Sequence, residues 1–209
     1  MNTPLLFSEN DPKLIQSIVD HFPLATLFTS SQGQLLAIHI PFLLDEDNGQ
    51  CTLLAHVSNH NEICTSVATG DAALVVFRGE DSYISPNWYP SKQDHHRHVP
   101  TWNYQAVHFD GNIELISDPT FLMNVVGRLT RLHEARVGEN PPWKMGDAPR
   151  DYLHQEIKGI TGIRITVKRV VAKSKLSQNR EPNDYESVKQ KMKEQKKDFL
   201  YEQMQKHQA

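Results

Sequence analysis

The sequence predicts a mainly β fold of the α+β kind, a barrel or sandwich with peripheral helices. Three observations carry that expectation. Short runs rich in Leu, Val, Ile and Thr recur between turn residues along most of the chain. One of them, residues 73–77 (Ala-Leu-Val-Val-Phe), is continuously apolar, as a strand covered on both faces must be. Helical spacing is confined to a few segments, two of which begin at proline, with Pro12 and Pro119 pre-setting the first turn. With 209 residues the chain suits one domain, or one domain with a trailing element.

The elements follow in order. Leu14, Ile15, Ile18 and Val19 give a first helix that Pro23 ends. Strands are expected over residues 24–29, 35–44 and 51–57, separated by turns at Ser30-Ser31-Gln32-Gly33 and Asp45-Glu46-Asp47-Asn48-Gly49. Pro41 marks the second of them as an edge strand or a bulge. A short helix over 62–68 precedes the strand 71–78. Residues 79–100, with Pro86, Pro90 and Pro100, read as a long irregular segment. A strand pair, or a strand bent about Asp110-Gly111, fills 106–116, and a helix carrying Phe121, Leu122, Val125, Val126 and Leu129 starts after Asp118. A short helix over 151–158 and a last strand over 162–171 complete the domain, residues 1–180. Residues 181–209 form a charged terminal helix with Tyr185, Val188, Met192 and Phe199 on one side.

Composition narrows the function. A formal net charge of -3 disfavours a strongly basic nucleic-acid binder. Two cysteines, Cys51 and Cys64, build neither a disulfide framework nor a Cys-rich zinc site. No apolar run approaches the roughly 18 residues of a membrane span. Near the start, Asp11, Lys13 and Asp20 interrupt any signal-peptide core, so a cytoplasmic protein is expected. Gly-x-Ser-x-Gly, a Walker loop and Gly-x-Gly-x-x-Gly are all absent, and no nucleophile–base pair is readable.

Four segments hold chemistry. In residues 54–61 a strand ends among His56, Ser58, Asn59, His60 and Asn61. This is an anion site at a helix start or, as the local pattern favours, a helix cap. Residues 82–89 with 99–104 crowd Tyr83, Trp88, Tyr89, Trp102 and Tyr104 together, suiting a planar heterocycle or equally a self-packed loop or subunit interface. His95, His96 and His98 could ligate a metal, but no completing motif stands nearby, and an exposed tract is the plainer reading. Residues 173–180 set Lys173, Lys175 and Arg180 beside Ser177, Gln178 and Asn179, a phosphate site or a solvated loop.

Taken in order, His39-Ile40-Pro41-Phe42, His56 with Asn61, Tyr83-Ile84-Ser85-Pro86 with Trp88-Tyr89, Pro100-Thr101-Trp102-Asn103-Tyr104 and Lys175-Leu176-Ser177-Gln178-Asn179-Arg180 resemble the PaiB family. The resemblance spans Met1 to about Arg180. It implies an FMN-binding split β-barrel related to pyridoxamine 5'-phosphate oxidase, a homodimer with flavin at the subunit seam, and a label as transcriptional regulator. An FMN-dependent oxidoreductase is the other role it allows. The residues it assigns to cofactor binding are His39, Ile40, Pro41, His56, Ser58, Asn61, Tyr83, Trp102, Lys175, Ser177, Gln178 and Asn179. Flavin would lie on residues 36–41 and its phosphate at 56–61, where Asn59 replaces the basic residue of many members and His56, His60 or Lys175 must supply charge. A haem- or metal-binding split barrel without flavin turnover is the alternative. Direct DNA contact finds no helix-turn-helix pattern, and Lys189, Lys191, Lys193, Lys196 and Lys197 are diluted by Glu194 and Asp198.

Overall fold

The computed structural model describes residues 1–31, 33–47 and 49–207. The expected turn residues Gln32 and Asn48, and Gln208 and Ala209 of the expected terminal helix, lie outside the described residues. The strands are β1 (Ser8–Glu9), β2 (Leu24–Ser31), β3 (Gln34–Pro41), β4 (Leu43–Asp47), β5 (Gln50–Ser58), β6 (Ala72–Ile84), β7 (Thr101–Ile116) and β8 (Ile160–Lys175). The helices are α1 (Pro12–His21), α2 (Ile63–Ser66), α3 (Lys92–His95), α4 (Pro119–Val137), α5 (Arg150–Lys158), α6 (Pro182–Glu194) and α7 (Asp198–Lys206).

The sheet order is β3-β2-β6-β7-β8-β5-β4, with β1 on β8. The β2–β3, β2–β6, β4–β5, β5–β8 and β1–β8 pairs are antiparallel. The chain forms two compact units. The first holds Met1–His21, Arg78–Val107 and Val171–Ala209; the second holds Phe22–Phe77 and His108–Val170. The expected boundary near residue 180 therefore falls inside the first unit.

In the second unit the core is aromatic at its centre. Phe77 meets Phe42 and Phe109 edge-on, with ring centroids 6.3 and 5.6 Å apart, the geometry that ring quadrupoles favour. Thr52, Leu53, Leu54 and Ala55 are all buried, so β5 is covered on both faces. One cover is α4, whose Val125 and Leu129 pack on Leu43 and Leu54. Its start is fixed by the Asp118 carboxylate, which accepts the Phe121 N–H at 2.7 Å, and its end by Gly138 at φ 78. Arg128 then grips Asp45 with two hydrogen bonds of 2.6 and 2.9 Å.

Two expectations change here. The strand expected over 35–44 is interrupted at Phe42, whose N–H bonds Pro23 O at 3.1 Å, and Asp45 and Glu46 belong to β4 rather than to a turn. Residues 101–116 form one continuous strand, not a pair. Gly111 makes this possible: a Cβ there would overlap the Thr166 carbonyl of β8.

In the first unit, the predicted stripe of α6 and α7 is buried. Tyr185, Val188, Met192, Leu200 and Met204 pack with Ile84, Tyr89 and Leu176. The terminal segment is two helices, because Lys196 takes a left-handed φ of 56 between them. Tyr185 OH donates to Met204 O at 2.8 Å, and the Leu200 N–H to Glu80 Oε2 at 3.0 Å. Burial pushes the Tyr185 phenol up to about 12. The segment 79–100 is more regular than expected: β6 runs on to Ile84, alternating buried Ser82 and Ile84 with exposed Tyr83.

Candidate functional site

In the second unit, the end of β5 opens onto a cleft of about 620 Å³ lined by Ile40, His56, Val57, Ser58, Asn61, Gln155, Glu156, Gly159 and Ile160. It unites four of the expected residues, Ile40, His56, Ser58 and Asn61. His39 and Pro41 flank Ile40 on β3, and His39 Nδ1 shares a 3.0 Å hydrogen bond with Thr26 Oγ1. Asn61 Oδ1 accepts the Ile63 N–H at 3.1 Å, and Ser58 Oγ the His60 N–H at 3.2 Å, so both side chains also shape the turn that leads into α2. Neither the Ser58 hydroxyl hydrogen nor the Asn61 amide N–H has a partner among the described residues.

The telling atom is His56 Nδ1, buried without a hydrogen-bond partner. Such an atom loses its water and gains nothing in return, which is costly unless a ligand completes it. Burial also pushes the His56 pKa below its ordinary value, favouring the neutral ring. Among the described residues no Lys or Arg lines the cleft, and Glu156 adds negative charge. Asn59 does not supply the missing donor, since its Nδ2 donates to Lys158 O at 2.7 Å and its Oδ1 accepts from Thr161 at 2.7 Å. The cleft therefore fits an uncharged planar ring with polar edges, and holds no side-chain cation for a phosphate dianion.

Sequence reasoning missed Gln155, Glu156, Gly159 and Ile160. Their signal was faint: Ile157 is the one buried residue of α5, which turns Gln155 and Glu156 outward, and Gly159 stops the helix where β8 begins.

The other expected residues lie in the first unit. Tyr83 and Trp102 meet edge-on with centroids 5.8 Å apart. Lys175 Nζ donates to Thr101 Oγ1. Ser177 and Gln178 are occupied by the fold. Ser177 Oγ donates to buried Asn103 Oδ1 at 3.0 Å. Gln178 accepts the Leu176 N–H at 2.7 Å and donates to Ser174 O at 2.6 Å. Asn179 is exposed.

The histidine tract divides. His95 and His96 are exposed, as expected, whereas His98 is packed into a polar knot. Asp184 accepts the Ser91 N–H at 3.1 Å and the Ser91 hydroxyl at 2.6 Å. Because that hydroxyl hydrogen goes to the carboxylate, Ser91 Oγ accepts from His98 Nε2 at 2.8 Å. Arg180, which can only donate, faces His98 Nδ1 at 3.4 Å. Both ring nitrogens are engaged, so His98 is not offered to a metal. Among the described residues no group of three His, Cys, Asp or Glu side chains could hold a metal ion.

The antiparallel sheet and peripheral helices, with a polar cleft at the end of one strand, are those of the flavin-binding split barrels. The chain belongs to the PaiB family, within the family described as "Putative FMN-binding domain", which matches residues 1–169. The protease synthase and sporulation protein PAI 2 of Bacillus subtilis is 30% identical over 188 residues, 90% of this chain and 87% of that protein. Two solved structures share the fold. The FAD and haem binding protein of Mycobacterium smegmatis has a TM-score of 0.57 at 15% identity, covering 87% of this chain and 79% of its own. The conserved hypothetical protein Rv2991 of Mycobacterium tuberculosis has a TM-score of 0.57 at 13% identity, covering 83% and 90%. No helix among the described residues is long and apolar enough to cross a membrane.

Proposed function

We propose that this chain is a homodimeric FMN-binding protein whose flavin ring is held at the His56 cleft and carries electrons. The observation that carries the reading is a polar cleft lined by Ile40, His56, Ser58 and Asn61, with a buried, unpartnered ring nitrogen on His56, in a member of an FMN-binding family. When bound, FMN supplies one- and two-electron transfer. The chain's own residues bind and orient. His56, the Ser58 hydroxyl, the Asn61 amide and Gln155 offer hydrogen bonds to a polar ring edge. Ile40, Val57 and Ile160 exclude water from its faces.

Pairing is supported by the outer face of β2 and β3. Leu24 and Leu35 are 66% and 84% exposed and Phe28 38%, and the register sets them on one face with Ala37 and Pro41. Thr26, Ser30 and His39 share that face, and a largely apolar face with exposed leucines is what a second copy covers. A regulatory role would act through flavin state. The lysines of α6 are partly neutralised, Lys189 by Glu186 and Lys191 by Glu194, which does not suit a phosphate backbone.

Sizing of the purified chain with and without FMN, followed by anaerobic NADPH addition, tests the reading. A dimer whose flavin absorbance bleaches on NADPH is expected. A monomer, or a Leu24→Asp/Leu35→Asp variant that sizes like the parent, overturns the pairing, and an unbleached flavin overturns the electron-carrying role.

A further inference from the structure

The second unit holds another cavity, on the far side of α4. Gly127, Thr130, Arg131 and Glu134 fall on one side of that helix, opposite Val125 and Leu129, which pack on Leu43 and Leu54. Residues 142–145, in the connection to α5, lie over this side and enclose about 410 Å³ with it. No residue of the lining is shared with the His56 cleft. Gly127 lets the connection come close, since a Cβ there would stand 3.3 Å from Met145 Sδ. The connection is pinned at three points. The Glu134 carboxylate accepts the Trp143 N–H at 3.2 Å, the Asp147 carboxylate accepts the Lys144 N–H at 2.9 Å, and the Asp147 N–H returns to Lys144 O at 2.9 Å. The cavity is therefore pre-formed, and a ligand would have little left to order.

The lining chooses the ligand. Trp143 keeps 45% of its surface exposed beside Met145. An indole face takes a flat ring, and a thioether sulfur sits well at a ring edge. The charges add a second requirement. Among the described residues neither Arg131 nor Lys144 has a carboxylate partner, while Glu134 is engaged by the Trp143 N–H. A guanidinium offers two parallel N–H groups to a carboxylate. Glu134 on the same wall repels a dianion more than a monoanion, which turns the preference from phosphate to carboxylate.

We propose that the cavity between α4 and residues 142–145 binds a small aromatic monocarboxylate. Trp143 and Met145 take its ring, Arg131 takes its carboxylate, and Lys144 adds charge of the same sign. The inference does not rest on the His56 cleft, because a ligand without flavin tests it.

The experiment is a calorimetric titration of the full chain with four probes: 3-phenylpropionate, the uncharged 3-phenylpropanamide, the ringless butyrate, and phenyl phosphate. Saturation by 3-phenylpropionate at one per chain is expected, about tenfold tighter at low salt than the amide or butyrate. Arg131→Gln should bring 3-phenylpropionate down to the affinity of the amide and leave the amide unchanged. Trp143→Ala should weaken both phenylpropionyl ligands about fivefold or more, with Trp143→Phe restoring most of it. Both side chains are exposed, so the melting temperatures of these variants should match the parent. The ranking of the four probes on the parent chain stands without any variant. Saturating FMN should leave the affinity for 3-phenylpropionate unchanged. No saturable binding of 3-phenylpropionate overturns the proposal, as does an amide that binds equally well. Tighter binding of phenyl phosphate overturns the carboxylate assignment. An Arg131→Gln or Trp143→Ala variant that binds like the parent, or competition by FMN, overturns the placement in this cavity.

Discussion

His56 and His98 are both taken largely out of water, one in each unit, and the chain treats them oppositely. At His98 each ring nitrogen has a neighbour: Ser91 Oγ at 2.8 Å on one side and the Arg180 guanidinium at 3.4 Å on the other. At His56 the inward nitrogen has none. Tyr89 Oη, Asn103 Nδ2, Gln105 Oε1 and His133 Nε2 are buried without a partner as well, and His56 differs from them in lining the polar cleft at the end of β5. The same contrast separates the two units at larger scale. The first keeps the half-exposed rings Tyr83 and Trp102 on a sheet face, and the second keeps a cleft lined by Glu156 and, among the described residues, by no Lys or Arg.

Substitutions can sharpen or break that contrast. The largest effect is expected in the packing of the first unit. Met192→Ala removes a fully buried side chain from between α6 and its neighbours. It should cost about 3 kcal/mol in urea unfolding. A loss under about 1 kcal/mol would mean that the terminal helices are not anchored by this cluster. Next comes the polar knot. Asp184→Ala strips two acceptor contacts from Ser91 and should cost about 2 kcal/mol, whereas His56→Ala, which breaks no hydrogen bond at Nδ1, should cost less than that. Reversal of this order in matched denaturation curves would break the comparison.

A pH effect of intermediate size follows from burial, which lowers the pKa of His56, His108 and His133 from the ordinary 6.5. Between those lowered values and 6.5 the unfolded chain binds more protons than the folded one, so stability rises with pH there. Urea midpoints should therefore be unchanged from pH 8 to 7.5 and fall as pH drops below 6.5. A midpoint that rises on acidification would contradict the sign. The smallest effect belongs to Arg128→Met. It opens a partly exposed ion pair with Asp45 and should cost about 1 kcal/mol or less, reduced further by salt.

Much of the fold was legible because it rests on local signals. Pro12 and Asp118-Pro119 announced two helices, and the apolar run 73–77 announced a strand covered on both faces. Illegible features depended on distant backbone. Nothing local to Asp110-Gly111 says that the glycine lies against Thr166 within one unbroken strand. Nothing near Phe42 says that its N–H will bond Pro23. For the site, motif order in the sequence brought Ile40, His56, Ser58 and Asn61 forward, and the cleft unites them. Gln155, Glu156, Gly159 and Ile160 escaped because a helix end and a strand start carry no chemical motif. Ser177 and Gln178 read as ligand donors in sequence; in the structure Gln178 closes the turn after β8 and Ser177 ties that turn to Asn103 of β7. Polar type alone does not distinguish a side chain offered to a ligand from one engaged within the fold.

The central claim is that the lone nitrogen of His56 waits for a flavin ring. Titrating FMN into the full chain and into His56→Ala, with flavin fluorescence as the readout, tests it most directly. Saturable quenching at one flavin per chain, weakened about tenfold or more in the variant while its thermal melt stays put, is the predicted result. Parent and variant binding flavin alike, or neither quenching it at all, would contradict the account.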